Sequence, residues 1–215
     1  MIPIVWEDTH LVVVQKPADV LSEPKAGEPD VVTLVSAQVG KPVVLVHRLD
    51  RVTGGHMVLA KTREAASRLS ASIQNGQFHK EYLAVVHGVP EKPADTWEDL
   101  LFKDSSKNKS YVVHRQRVGV KRAKLSYSLT CSDPSRTCSL VRVKLDTGRT
   151  HQIRVQFSYR NLPLLGDGKY GSRDKRCTVA LWSFHLAFPH PLSGKQMEFF
   201  SSPPDRYPWN LFPEK

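Results

Sequence analysis

The segment His47-Arg48-Leu49-Asp50-Arg51-Val52-Thr53-Gly54-Gly55 sets one aspartate between two arginines. It follows the apolar run 43–46 and precedes a Gly-Gly pair that lets another backbone come close. Positive neighbours hold a carboxylate ionised, which suits a nucleophile or a base better than a proton donor. On these residues alone a loop ion pair fits equally well. A second constellation runs from Asp146 through Thr147-Gly148-Arg149-Thr150-His151-Gln152-Ile153 to Arg154. Thr150 is the expected cap of a short helix, with Arg149 at its N-terminus and Arg154 one turn in, so both arginines could reach a central anion. Exposed helical arginines are the plainer alternative.

Other chemistries find less support. Cys131 and Cys138 lack a Cys-x2-Cys or His-x3-5-His companion, and His185 and His190 are separated by a proline, so no metal site is expected. Gly166-Asp167-Gly168-Lys169-Tyr170-Gly171 does not fit the phosphate-loop pattern and reads as a tight turn. No serine sits in a Gly-x-Ser-x-Gly elbow.

The elements that must hold these residues can be sketched from periodicity. Leu11 to Lys16 is a buried strand ended by Pro17, and Met57 to Ala60, Tyr82 to Gly88, Leu125 to Thr130 and Leu140 to Leu145 are further strands. Asp30 caps a helix that stops at Gly40, and Thr62 caps another that closes near Gly76. Residues 90–99 read as a loop or an excursion, 107–124 as a hairpin turning at Gly119, and 179–188 with 196–200 as a final strand pair. Many strands with few short helices predict an α+β fold with a mixed, mostly antiparallel central sheet.

The 215 residues suit a single domain spanning 1–215. The N-terminus lacks the pattern of a secretory signal, no run is long enough to cross a bilayer, and three cysteines make no disulfide framework. A cytoplasmic protein without membrane attachment is expected. Charge is uneven: residues 1–100 carry 10 basic and 13 acidic side chains, whereas 101–215 carry 21 and 8. Between 103 and 124 stand Lys103, Lys107, Lys109, Arg115, Arg117, Lys121, Arg122 and Lys124 against one acid, Asp104. Such a block is the footprint of a polyanion binder, because each neutralised phosphate releases counterions.

Five segments in order carry a resemblance: Lys16-Pro17, HRLDRVTGG at 47–55, KEYLAVVHG at 80–88, TGRTHQIRV at 147–155 and LLGDGKYG at 164–171. With the closing stretch Leu181 to Pro191, they make the chain similar to the RluA-type RNA pseudouridine synthases, from about residue 10 to about residue 200. The resemblance implies an enzyme that isomerises uridine to pseudouridine within ribosomal or transfer RNA, as a monomer, with no cofactor and no metal. Asp50 matches the family's essential aspartate. It would attack a flipped uridine at the sugar's anomeric carbon or at the base ring, so that the base detaches, rotates and rejoins through carbon 5. Tyr82 matches the tyrosine that packs on the base, and it would assist removal of the carbon-5 proton. Arg154 matches the arginine that pairs with the aspartate. Arg48 and Leu49 would shape the loop, and Leu181 or Leu186 would wall the uracil. RNA contacts are expected from Arg51, Lys107, Lys109, Arg115, Arg117, Lys121, Arg122, Lys124, Arg149 and His151. Extruding a base costs a few kcal/mol, so a stacking ring and a hydrogen-bonding edge are the right chemical types for the pocket.

The chain departs from the family at three places. Gly54 stands where a serine is usual, Lys16-Pro17-Ala18-Asp19 lacks the usual glycine, and Gln156 stands where histidine is frequent. The residues before the first strand leave no room for an S4-type RNA-binding extension, so a catalytic domain alone is expected.

Overall fold

The computed structural model describes residues 1–133, 135 and 137–212. In chain order the elements are β1 (Ile4–Glu7), β2 (Leu11–Lys16), α1 (Val31–Val39), β3 (Val44–Leu45), β4 (Gly54–Ala60), α2 (Arg63–Gln74) and β5 (His79–His87). They continue as β6 (Ala94–Asp104), β7 (Lys109–Val113), β8 (Val120–Ser132), β9 (Cys138–Leu145), α3 (Gln152–Tyr159), β10 (Leu181–Pro189) and β11 (Gln196–Phe200). This is the expected α+β class, with mostly antiparallel pairing. The elements gather into two compact units, Met1–Lys80 with Trp182–Pro203, and Glu81–Leu181 with the chain from Pro204.

In the first unit β2 pairs antiparallel with both β1 and β4, and β10 runs parallel to β4 through Trp182↔Gly54 and Ser183↔Gly55. Strand β11 pairs with β10, and β3 with β4. Every residue of β4 is buried, which matches a central strand. Leu11, Val13, Val58 and Ala60 from the strands pack with Ala65 and Leu69 of α2 and with Phe78, Leu186 and Phe188. The Phe78 and Phe188 rings stack 5.0 Å apart at the centre of this cluster. Both helices start as their caps dictate: Asp30 accepts from Thr33 N at 2.8 Å and Thr62 from Ala65 N at 3.2 Å. Gly40 ends α1 in the left-handed conformation. Strand β1 left no pattern to read, being a four-residue edge strand whose Ile4 and Val5 are exposed.

The second unit is an antiparallel sheet in the order β5-β9-β8-β6-β7. The basic segment 107–124 is not a hairpin, because β7 and β8 do not pair with each other. Both pair with β6, which lies between them. The tight turn is upstream, where the Asp104 carboxylate accepts from the Ser106 and Lys107 amides and folds β6 back into β7. Part of the expected loop 90–99 is strand, since β6 begins at Ala94 and buries Trp97 against Tyr127 and Phe157. Helix α3 starts at Gln152 rather than at a Thr150 cap. His151 precedes it at φ 53° with no side-chain cap bond, and Gln152 Oε1 accepts from the Arg149 amide instead. Six consecutive residues of α3, Gln152 to Phe157, are buried, so it is covered around its whole first turn and more.

Candidate active site

The loop between β3 and β4 carries Arg48, Leu49, Asp50 and Arg51. Ser22 ties it from one side: its hydroxyl donates to Leu49 O at 2.7 Å and accepts from Leu49 N at 3.1 Å. A turn follows, in which Thr53 N donates to Asp50 O at 3.0 Å. Leu49 is buried at the base of the loop. The two arginines beside Asp50 in sequence do not serve it as near counter-ions. Arg48 pairs with Glu23 at 2.7 Å and Arg51 pairs with Glu28, both on the exposed face of the loop. Proximity in sequence misled here, because each guanidinium finds its carboxylate on the segment 23–28.

The cation that sequence spacing did not assign is Lys16. It is fully buried, and its ammonium donates to Pro17 O at 2.9 Å and to Arg51 O at 3.0 Å. Burial pushes its pKa down to about 8, while the negative charges of Asp19 and Asp50 act to raise it. Lys16 therefore anchors the Asp50 loop to the end of β2 and adds positive potential at the aspartate. His47 braces the other side: Val58 N donates to its Nε2 at 3.1 Å, and burial pushes its pKa down to about 3, keeping the ring neutral.

Both glycines after the loop are dictated by β10. A Cβ on Gly55, at φ 111°, would lie 2.3 Å from the Ser183 carbonyl oxygen, where only glycine fits. A Cβ on Gly54 would lie 2.3 Å from Cζ3 of Trp182, so the ring fills the space a serine would need. Trp182 is itself pinned by its indole N–H, which donates to Ser201 O at 2.9 Å. Gly54→Ser is expected to destabilise the protein by about 1–3 kcal/mol through overpacking. In a Trp182→Leu background the same substitution should cost much less. Urea unfolding of the four proteins in the cycle checks this, and equal costs in both backgrounds would exclude the proposed clash.

In the second unit Arg154 is buried on α3. Its Nε and Nη2 donate to the two carboxylate oxygens of Asp167 at 2.7 and 2.8 Å, a two-pronged pair in which Asp167 is also buried. The guanidinium lies 5.1 Å from the centre of the Tyr170 ring. Tyr170 is fixed in turn: its hydroxyl lies 2.9 Å from Nδ1 of His151 and accepts from Ser110 N at 2.8 Å, and its carbonyl accepts from Ser158 Oγ at 2.6 Å. The glycine-rich turn 166–171 is thus the device that aims Asp167 and Tyr170 at α3. Gly166 makes it possible, since a Cβ there would meet the Thr178 carbonyl oxygen at 2.3 Å. Sequence reading missed Asp167 and Tyr170; the one signal was an aspartate and a tyrosine among glycines just after an apolar run.

Arg149 and Arg154 do not face a common anion. Arg154 points inward, whereas exposed Arg149 donates from Nε to Arg122 O at 2.9 Å. His151, expected to touch RNA, lies buried against Tyr170. The remaining basic candidates gather on β7, β8 and their connecting loop. Lys121, Arg122 and Lys124 are exposed on β8, Arg115 and Arg117 in the loop 114–119, Lys107 in the turn before β7, and Lys109 on β7 itself. Arg122 pairs with Glu98 at 3.2 Å and Lys124 with Asp146 at 3.3 Å, exposed contacts that leave both cations reachable. Arg51 is in the first unit, on its own loop. Tyr82 is buried on β5, opposite Val143 of β9. Leu186 belongs to the core of the first unit, while Leu181 is buried at the start of β10. Among the described residues no three His, Cys, Asp or Glu side chains form a metal-holding group. None of the described helices is long and apolar enough to cross a membrane.

The fold is that of pseudouridine synthase domains. The structure matches human RNA pseudouridylate synthase domain containing 1 with a TM-score of 0.81, over 95% of this chain and 84% of that chain at 23% identity. It matches human RNA pseudouridylate synthase domain containing 4 at 0.77, over 94% and 88%, also at 23% identity. The profile of the family described as RNA pseudouridylate synthase matches residues 10–159, and the chain belongs to that family. It is 36% identical to ribosomal large subunit pseudouridine synthase D of Zymomonas mobilis, over 94% of this chain and 69% of that protein. It is 35% identical to the uncharacterized RNA pseudouridine synthase YjbO of Bacillus subtilis, over 94% and 72%. The protein is therefore an RNA-modifying isomerase that converts uridine to pseudouridine.

Proposed function

We propose that the substrate is a uridine of large-subunit ribosomal RNA and that Asp50 is the nucleophile. The naming of the Zymomonas relative supports the RNA, and the tethering of the Asp50 loop is the observation that carries the residue. Three independent ties, from Ser22, Lys16 and the Gly54-Gly55 contact with β10, hold an otherwise irregular loop in one conformation. Preorganisation of this kind is what covalent catalysis requires.

The reaction balances without an outside reagent. A carboxylate oxygen of Asp50 bonds to the sugar's anomeric carbon, and the bond from that carbon to base nitrogen 1 breaks, the electron pair leaving with uracil. The detached base rotates, carbon 5 attacks the anomeric carbon, and the carboxylate is released. Carbon 5 then gives up its proton and nitrogen 1 receives one. Tyr82 is assigned to stack on the base, and Leu181 to wall it, since Leu186 is committed to the core. Arg154 is assigned to hold the anionic groups of the site, and its own aim is set by Asp167. The protein is further proposed to be a cytoplasmic monomer. Mapping pseudouridine in cellular RNA with and without the gene tests the substrate. The expected result is loss of a modified position in large-subunit ribosomal RNA; an unchanged map there, with loss elsewhere, would reassign the RNA.

The basic residues of β7, β8 and the loop 114–119 are assigned to grip that RNA. Replacing Lys121, Arg122 and Lys124 by glutamine should weaken RNA binding. It should also flatten the slope of log affinity against log salt by about 2, given roughly 0.7 per single-strand phosphate contact. Melting should be unaltered, because all three side chains are exposed. Binding titrations over a range of salt measure this, and an unchanged slope would contradict the assignment.

A further inference from the structure

The sheet of the second unit has two faces of different character. Trp97 and Leu101 of β6 and Ala123, Leu125 and Tyr127 of β8 are buried on the side where Val155 and Phe157 of α3 pack. Side chains alternate along a strand, so Leu100 and Phe102 of β6 and Arg122 and Lys124 of β8 point the other way. Register places Phe102 directly opposite Tyr111 of β7, and Leu100 opposite both Val113 and Arg122. Tyr111 is 36% exposed, and its ring has the Lys109 ammonium 5.7 Å from its centre. The Arg117 guanidinium lies 4.8 Å from the centre of the Phe102 ring, and Arg117 is itself exposed.

We propose that this face is a stacking platform for unpaired RNA bases, with Tyr111 and the Phe102–Arg117 stack as its two flat surfaces. The inference rests on the reading of the surrounding basic residues as an RNA surface and adds what kind of RNA it takes. Two adjacent aromatic rings on the side of the sheet opposite α3, with cations around them, bring together what sequence-tolerant binding of single strands needs. The rings accept base faces, and Lys109, Arg117, Arg122 and Lys124 follow the phosphates. A duplex keeps its base faces stacked inside and offers such rings nothing to hold, so the platform selects a single-stranded segment. Charge complementarity favours a polyanion over an apolar protein partner at this face.

The test is fluorescence anisotropy with a labelled unstructured RNA oligonucleotide and, separately, a blunt RNA duplex, each titrated at several salt concentrations. Tyr111→Ala should weaken single-strand binding roughly tenfold, the size of one lost base stack, without changing the salt slope. Tyr111→Phe should restore it, and duplex affinity should stay as in the parent. Phe102→Leu, which keeps an apolar side chain on the strand, should act in the same direction. Unchanged single-strand affinity in Tyr111→Ala, alongside weakened binding in the Lys121, Arg122 and Lys124 glutamine variant, would overturn the platform and keep the RNA surface. Unchanged binding in that glutamine variant too would overturn both. Equal weakening toward the duplex would overturn the selection of single strands.

Discussion

Asp50→Asn is expected to yield a folded protein that makes no pseudouridine. The substitution keeps the side chain's shape, and three ties that hold the loop engage its backbone. Thr53 N donates to the Asp50 carbonyl, Ser22 engages the backbone of Leu49, and Lys16 donates to Arg51 O. What changes is chemical: a carboxamide is far too weak a nucleophile to displace uracil. Loss of a covalent nucleophile costs on the order of 10⁴-fold or more in turnover, and here that places the rate below detection. Release of the carbon-5 hydrogen from labelled RNA measures the reaction, while urea unfolding reports the fold. Unaltered stability with absent turnover is the expected pair of results, and retention of even a tenth of the parent rate would remove Asp50 from the nucleophile's role.

Asp167→Ala is expected to have the largest effect on stability. Arg154 and Asp167 are both buried and joined by two short bonds. Removing one partner of a buried charge pair typically costs about 3–5 kcal/mol, because the remaining charge is left in a poorly solvated place. On the role proposed for Arg154, turnover is expected to fall as well, because Asp167 sets the direction of the guanidinium. Asp167→Asn keeps one good acceptor and should cost less in stability while still lowering turnover. Chemical denaturation of both variants beside the parent gives the two costs. A loss below about 1 kcal/mol for the alanine variant would mean that the pair is screened far better than its burial indicates.

How much of this could be read from sequence depended on whether the signal was local. Helices α1 and α2 were legible because Asp30, Thr62 and Gly40 act on their own neighbours through one hydrogen bond or one backbone conformation. Strands β2 and β4 announced themselves by continuous apolar runs. The Asp50 loop stood out because an aspartate between arginines before two glycines is an unusual composition. Partners were another matter. Nothing in HRLDR says that Arg48 and Arg51 turn to Glu23 and Glu28, or that Lys16, far upstream, reaches the loop. The same holds for Asp167 and Tyr170, whose roles exist only once the turn 166–171 is folded against α3. The order β8-β6-β7 escaped for a related reason: contiguous basic strands suggest a hairpin, but β6 lies between them, its Leu100, Leu101 and Phe102 pairing with both through its two edges.

The glycine at 54 shows how a departure from a family pattern is explained by distance rather than by neighbours. In sequence it reads as a missing serine. In the fold it is the position against which the Trp182 ring rests, and the two residues are one decision.

The most direct test of the account uses ribosomal RNA purified from cells that lack the gene, incubated with the purified protein and then mapped for pseudouridine. The wild-type protein is expected to convert a uridine of the large-subunit RNA, and the Asp50→Asn protein, folded to the same stability, to convert none. Conversion by the Asp50→Asn protein, or an RNA left unmodified by the wild type, would contradict it.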